Sequence, residues 1–392
     1  MRQNSRTLSR PTSQVLALGT TQTIAWASST YLPAILATPI AAELGISRAT
    51  VFGAFSVSLI VMAIGGPAFG RIVDAGKGRG LLMASNAVLA AGLVFLGLAT
   101  GPIALFAAWC VIGVGMAMGL YDSAFAVLVR LHGHEARGAI TGITLIAGFA
   151  STVGWPLTAW LSADFGWRAA CFAWAAIHIV IALPLNRFFL PLPERLPEKK
   201  PMASEEEAKP AGRAFTLVAV FFALTAFVTS AMAAHLPNLL LATGVSTAAA
   251  LTASALLGPA QVVARLAEFF GARHFRLHPL FTARLATATH PVAAIAFGAL
   301  GATPLGAAAF AVVHGTGNGL ITIARGTVPL AIFGAAGYGA RQGWLSALGR
   351  VMQALAPYVF GVVLDGYGVA AALLLSGSLS LAALGALLCL RR

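Results

Sequence analysis

The chain has 392 residues, of which 58% are hydrophobic and only 9% charged, with a mean hydropathy of +0.85. Soluble domains carry about 25% charged side chains, so this composition excludes a water-soluble globular enzyme. The formal net charge of +13 does not indicate a nucleic-acid partner, because the basic residues sit in short segments between apolar runs and form no single patch with interleaved aromatics.

Apolar runs of 18 residues or more recur along the chain, each long enough to cross about 30 Å of hydrocarbon at about 1.5 Å per residue. They lack the period-2 alternation of barrel strands, so they are helices with every backbone group satisfied internally. Arg2, Arg6 and Arg10 precede an uncharged stretch over residues 15–42. That stretch is too long for a cleaved leader and is the first retained helix. Breaks at charge clusters and Gly/Pro punctuation predict twelve spans, at 14–41, 49–70, 81–99, 103–129, 139–163, 169–190, 214–242, 247–270, 283–302, 305–333, 342–364 and 368–390. The ninth is the weakest, since Arg284, His290 and Pro291 interrupt its first half.

Residues 191–213 are the only long polar stretch; five prolines and mixed charges there favour an extended linker. The expected organisation is therefore an N-terminal six-helix bundle over 1–190, a cytoplasmic linker over 191–213 and a C-terminal six-helix bundle over 214–392. With the N-terminus inside, twenty of the 25 Lys and Arg fall in inside segments and only Arg48 and Arg168 outside; Arg265, Arg325 and Arg350 lie within spans. Positive charge marks the cytoplasmic side, which predicts an inner-membrane protein with both termini cytoplasmic.

The halves resemble one another at a displacement of about 200 residues. Leu32-Pro33 matches Leu236-Pro237, and Gly66-Pro67-Ala68 matches Gly258-Pro259-Ala260. Gly113 and Gly115 match Gly315 and Gly317, while Gly148, Pro156 and Asp164 match Gly349, Pro357 and Asp365. The glycine runs in spans 4 and 10 have no preceding strand, so they mean close helix packing rather than a phosphate cradle. No Walker sequence, serine elbow or HExxH is present. No catalytic residue, cofactor or metal is expected.

Between spans 2 and 3, Gly70-Arg71-Ile72-Val73-Asp74-Ala75-Gly76-Lys77-Gly78-Arg79 resembles the cytoplasmic loop motif of the major facilitator superfamily, with Ala75 in place of a basic residue and the later glycine displaced by one. Arg265 and Glu268 after Gly258-Pro259-Ala260 resemble a worn second copy. Gly142, Ser151 and Trp155-Pro156 in span 5 are similar to the superfamily's antiporter signature, with two glycines replaced, which leaves only a leaning to antiport. Span 4 has Trp109, not Arg, four residues before Gly113. The resemblance implies two parallel six-helix halves rocking about a midplane site, and a conformational gate at Gly70, Asp74, Gly78 and Arg79.

Ionisable groups in hydrocarbon are costly and default to functional candidates. Asp122 in span 4 is the expected proton-coupling group, and Arg325 and Arg350 are expected to meet an anionic substrate group; a structural ion pair or a cytoplasmic gate is the competing reading. Spans 1, 4, 7 and 10 line the cavity in the superfamily. The resemblance therefore adds Gln22, Trp26 and Tyr31, then His235 and Asn238, then His314 and Asn318 as substrate contacts. His314, Asn318 and Arg325 share one helical face, and Pro237 is expected to break span 7 after His235. Cys110, Cys171 and Cys389 read as small buried hydrophobes.

The expected function is secondary active transport of a small solute, an organic anion or toxic compound, by a monomer in the bilayer with protons as a possible coupling ion. Metalloid or drug efflux is one alternative. A channel or a non-transporting sensor is the alternative of another class.

Overall fold

The structure, a computed structural model, describes residues 10–191, 212–275 and 277–390. Most of the linker over 191–213 lies outside the described residues, as do Arg2 and Arg6.

Eight apolar helical stretches are long enough to cross a bilayer. Three of them are double: they turn back around Gly76, around residues 133–135 and at Gly368. The helix Pro279–Leu300, whose polarity comes from Arg284 and His290, completes a membrane protein of twelve transmembrane helices in two pseudo-symmetric six-helix bundles. Gly76 (φ 84°) and Gly368 (φ 80°) make two of these reversals in a backbone region that L side chains enter only at a cost.

The first unit comprises α1 (Arg10–Ser28) and α2 (Leu32–Leu44) in span 1, α3 (Arg48–Ile72) in span 2, and α4 (Gly78–Gly97) in span 3. Span 4 is α5 (Pro102–Gly119) and α6 (Tyr121–His132), span 5 is α7 (Ala136–Ala147) and α8 (Ala150–Phe165), and span 6 is α9 (Trp167–Ile177) continuing through a π turn into α10 (Leu183–Phe189). The second unit holds α11 (Arg213–Ala242), α12 (Thr247–Ala255) with α13 (Leu257–Phe275), α14 (Pro279–Leu300), α15 (Pro304–Phe333) and the broken α16 (Tyr338–Leu388). Contacts group Met62–Gly70, the end of α3, with this second unit. Several helices open on Pro in the first turn, where its missing N–H costs nothing. Thr303 and Ser246 cap α15 and α12 by accepting from the N–H of Gly306 and Ala249.

The repeat is visible in packing within each unit. A Cβ at Gly113 of α5 would lie 2.7 Å from the Ser58 carbonyl of α3, and one at Gly315 of α15 would lie 2.9 Å from the Leu257 carbonyl of α13. Gly115 lies against Leu89 of α4, and Gly317 against Thr289 and Ala286 of α14. In both bundles, then, one glycine seats the fourth helix on the second and another seats it on the third. Lipid offers no hydrophobic drive between helices, so close backbone approach supplies the attraction.

Polar clasps tie the first unit together. His178 is fully buried and bridges Ser28 Oγ of α1 (2.8 Å) and Asn86 Oδ1 of α4 (2.9 Å). Arg168 donates through Nη1 to the carbonyls of Gly97 (2.7 Å) and Ala99 (2.9 Å) at the end of α4, and through Nε to Glu43 Oε1 (3.0 Å) at the end of α2. The Trp167 ring lies under the guanidinium, 4.3 Å away, and its Nε1 donates to the other Glu43 oxygen. The Arg168 and Glu43 side chains are 32% and 50% exposed, so their ion pair itself contributes little; the two carbonyl bonds dominate. Arg168→Ala should therefore lower stability by about 1–2 kcal/mol, read as a lower melting temperature in detergent. Arg168→Lys should recover little, because a point charge cannot span three acceptors on two loops. Glu43→Gln should cost less than either.

Candidate functional site

In the first unit the site is built around a break. Span 4 is not one helix: at Leu120 the backbone is extended (φ −76°, ψ −173°), so α5 ends and α6 begins afresh. A break at membrane depth frees carbonyls that must find other donors. Gln22 of α1, 1% exposed, donates from Nε2 to the Gly119 carbonyl at 2.6 Å, and Ser123 Oγ donates to the Ala117 carbonyl at 3.1 Å. Because a carbonyl only accepts, this contact fixes the amide of Gln22, and its Oε1 is left buried without a hydrogen-bond partner.

One turn along α1, Trp26 also holds its Nε1 buried without a partner. Its ring lies 5.0 Å from that of Tyr121, just past the break, and 6.2 Å from that of Tyr31. Tyr121 stacks on Phe125 at 5.1 Å, and Tyr31 meets Trp155 of α8 edge-on at 5.8 Å. Trp155 Nε1 donates to the Tyr31 carbonyl at 3.2 Å. Asp122, partly buried in the first turn of α6, is adjacent to Tyr121. The buried indole donor of Trp26 thus lies against the Tyr121 and Tyr31 rings, with the buried acceptor of Gln22 one turn before it on α1. The residues that sequence reasoning missed here are Tyr121 and Phe125, which reach the site only because the helix restarts at Tyr121.

The second unit distributes its predicted residues differently. The expected face of His314, Asn318 and Arg325 does not converge on one point. His314 Nδ1 lies 2.9 Å from His290 Nδ1 of α14, Asn318 Oδ1 accepts from Thr229 Oγ1 of α11 at 3.0 Å, and the Arg325 guanidinium sits over the Phe222 ring at 5.0 Å, against Gly349. Three neighbours, each on a different stretch of helix, split the stripe. Arg350 is 5% exposed and donates to Gln353 Oε1 at 2.8 Å within its own helix. The expected break at Pro237 is absent: α11 runs through it to Ala242. His235 instead crosses to α16 and donates from Nε2 to the Pro357 carbonyl at 2.8 Å, while the Gln353 carbonyl, which the missing N–H of Pro357 leaves free, accepts from Ser230 Oγ at 2.8 Å. Asn238 is exposed.

At the loop motif, Val73–Lys77 forms a π turn, and Arg130 Nη1 of α6 donates to the backbone carbonyl of Asp74 at 2.7 Å. Gly78 is buried against Val127, Arg79 is partly buried, and Gly70 packs directly on the Gly339 backbone within the second unit. In the element aligned with this motif, Arg265 donates to Gln261 Oε1 (3.3 Å) and to Thr322 Oγ1 (3.4 Å).

A duplicated twelve-helix bundle with polar groups held inside its spans is the architecture of a membrane transporter. The chain belongs to the Major Facilitator Superfamily, whose family model matches residues 18–303. Among solved structures it is similar to the human organic anion transporter MFSD10 (TETRAN), at 16% identity and TM-score 0.73 over 96% of this chain and 98% of that one. It is also similar to the E. coli fucose:proton symporter FucP, at 13% identity and TM-score 0.72 over 95% and 97%. The proton:xylose symporter XylE follows at 12% identity and TM-score 0.71 over 95% of each chain. At these identities the likeness shows the fold. A 38 kDa protein encoded in the 23S RNA operon of Thermoproteus tenax is 28% identical over 153 residues, 39% of this chain and 40% of that protein's length. Family and fold together point to secondary transport of a small solute, not to an enzyme.

Proposed function

We propose that this protein is a secondary transporter that moves a small organic anion across the inner membrane by alternating access. The observation that carries the reading is the break in span 4: Gln22, which braces it, holds Oε1 buried without a partner, and Trp26, one turn on and against the Tyr121 ring, holds Nε1 the same way. Unused polar atoms in a membrane interior are expensive unless a bound group uses them. The aromatic rings suit the apolar body of an organic solute, and the indole N–H donates to its oxygen. Within the second bundle, Arg325 and Arg350 are proposed as groups that meet a negative charge. The anion preference follows that of the similar human transporter. Asp122 is the proposed proton-coupling group, charge placement supports cytoplasmic termini, and the proposed working unit is a monomer in the bilayer.

Counterflow exchange in proteoliposomes tests this with labelled benzoate, lactate and succinate, against xylose and tetraethylammonium as neutral and cationic comparators. Exchange of at least one carboxylate, and of neither comparator, is expected. Exchange of only the sugar or the cation would overturn the anion assignment, and exchange of none of the five would remove the transport reading for these classes. With benzoate, Trp26→Ala should raise KM about tenfold, the equivalent of about 1.4 kcal/mol of lost contact. Asp122→Asn should keep exchange but lose accumulation driven by a pH gradient.

A further inference from the structure

A second polar site lies wholly inside the second bundle, apart from the Asp122 region. His290 and His314 are each 4% exposed, and their Nδ1 atoms are 2.9 Å apart. Two facing ring nitrogens can be that close only if one carries hydrogen and the other does not. Each ring therefore has a defined second nitrogen, and His290 Nε2 is buried with no hydrogen-bond partner. The space beside the pair is a void of about 10 Å³, which is room for about one water.

The groups facing that void are Thr225 and Thr229 from α11, Thr287 and Thr289 from α14, Asn318 from α15 and Ser380 from α16. The Phe310 ring packs on the pair, edge-on to His290 and stacked against His314. None of these titrates. The charged groups on the surrounding helices are engaged elsewhere: Arg284 of α14 on the carbonyls of Leu387 and Leu390, Arg325 over Phe222, and Arg265 of α13, with Glu268 near it in sequence, against Gly319 and Thr322. His235 of α11 bonds Pro357, and Arg350 of α16 bonds Gln353. Arg341 of α16 bonds the Gly337 and Phe333 carbonyls and Asp365 is exposed, while α12 and the part of α16 beyond Gly368 carry no titratable residue. Eight hydroxyl, amide and imidazole side chains gathered in a dry helix bundle, with one nitrogen unused, are more than packing requires.

We propose that His290 and His314 form a proton-binding pair, loaded through the water-sized void and holding one proton as an imidazolium hydrogen-bonded to a neutral imidazole. With His290 as the Nδ1–H donor, the lone pair of its Nε2 takes the incoming proton and forms a new N–H bond, and no other bond breaks. The Nδ1–H to Nδ1 bond persists and becomes charge-assisted, which strengthens it. Release reverses the same step. The pair titrates as a unit. In a transporter this places a proton site in the second bundle that is independent of Asp122, and in that respect it rests on the transport reading.

The test does not rest on it. Protein labelled with ¹⁵N-histidine in lipid nanodiscs is titrated from pH 8 to pH 4 by NMR, as wild type, His290→Asn and His314→Asn. Asn places an amide group near the Nδ1 position, so the hydrogen bond can survive in either variant, while only His290→Asn removes the proton-accepting nitrogen. In the wild type, a coupling between two Nδ1 atoms across their hydrogen bond is expected, with both rings shifting together on acidification. His290→Asn should take up one proton fewer per chain, with His314 no longer shifting over the same range; His314→Asn keeps His290 Nε2, so there the coupling between two Nδ1 atoms should vanish and His290 should titrate over a different range. Two rings that stay neutral to pH 4, or that titrate with the same curves in either variant, would overturn the proposal. The wild-type coupling decides the matter should a variant fail to fold. Benzoate counterflow on the same preparations separates the readings: intact exchange with unshifted histidines counts against the proton pair alone, and joint titration without exchange counts against transport alone.

Discussion

Gly113→Ala and Gly317→Ala should each destabilise the protein by about 1–3 kcal/mol, the usual cost of overpacking, although each adds a single methyl group. At Gly113 that methyl would sit 2.7 Å from the Ser58 carbonyl and 2.9 Å from its Cα. Both are backbone atoms of a neighbouring helix, so relief requires α5 and α3 to separate rather than a side chain to turn. At Gly317 it would overlap Thr289 Oγ1 and lie 2.7 Å from the Ala286 carbonyl, to which that same hydroxyl donates at 2.7 Å. Rotating Thr289 away would break a hydrogen bond in a dry interior and still leave the carbonyl contact. The matched control is Gly138→Ala, in α7, where a Cβ would meet nothing within 4 Å. There the gain in helix propensity should stabilise by about 0.5–1 kcal/mol. Thermal unfolding of the three variants in one detergent checks the set. If Gly113→Ala and Gly317→Ala melt with the wild type, the helix spacing described for both bundles is wrong.

Those two glycines also show why so much of the fold was legible. The apolar runs, their punctuation and the displaced matches are local or periodic signals, and they predicted twelve helices and a duplication directly. Gly113 and Gly315 read as packing positions because a small residue in a lipid-facing helix has few other uses. The breaks at residues 29–31 and at Leu120 were not legible, because what makes them tolerable is distant: Gln22 lies 97 residues from the Gly119 carbonyl it satisfies. Pro237 misled for the opposite reason, since α11 tolerates the missing N–H and continues. His290 looked like a flaw in a weak span, yet its partner is a histidine 24 residues away on the next helix. Two histidines on consecutive spans were the available signal. His314, Asn318 and Arg325 do lie on one continuous helix, but their spacing could not say that three different neighbours would divide them.

Gln22 offers the sharpest probe of the first bundle, because one side chain serves both the fold and the proposed site. Its Nε2 supplies the only donor described for the Gly119 carbonyl, and its Oε1 is unspent. Gln22→Leu keeps the approximate volume and removes both atoms. The carbonyl is then left without a donor in the membrane interior, at a cost of about 1–3 kcal/mol that does not change with pH. Gln22→Glu distinguishes the two atoms. As a carboxylic acid, Glu at this position can still donate an O–H to the carbonyl 2.6 Å from the present nitrogen; as a carboxylate, it presents only acceptors to an acceptor. Folding therefore favours the protonated form of this variant. Its stability should approach that of the wild type at acid pH and fall as pH rises, by up to about 1.4 kcal/mol per pH unit while the folded protein holds a proton that the unfolded chain has lost. Melting curves from pH 5 to pH 8 give the slope. A flat Gln22→Glu profile would mean that the amide does not brace the break. Benzoate exchange completes the separation. Gln22→Glu restores an oxygen at the Oε1 position and should exchange at acid pH, whereas Gln22→Leu should remain slow at every pH even where it is folded. Equal exchange by the two variants would show that the unspent oxygen of Gln22 has no part in holding the solute.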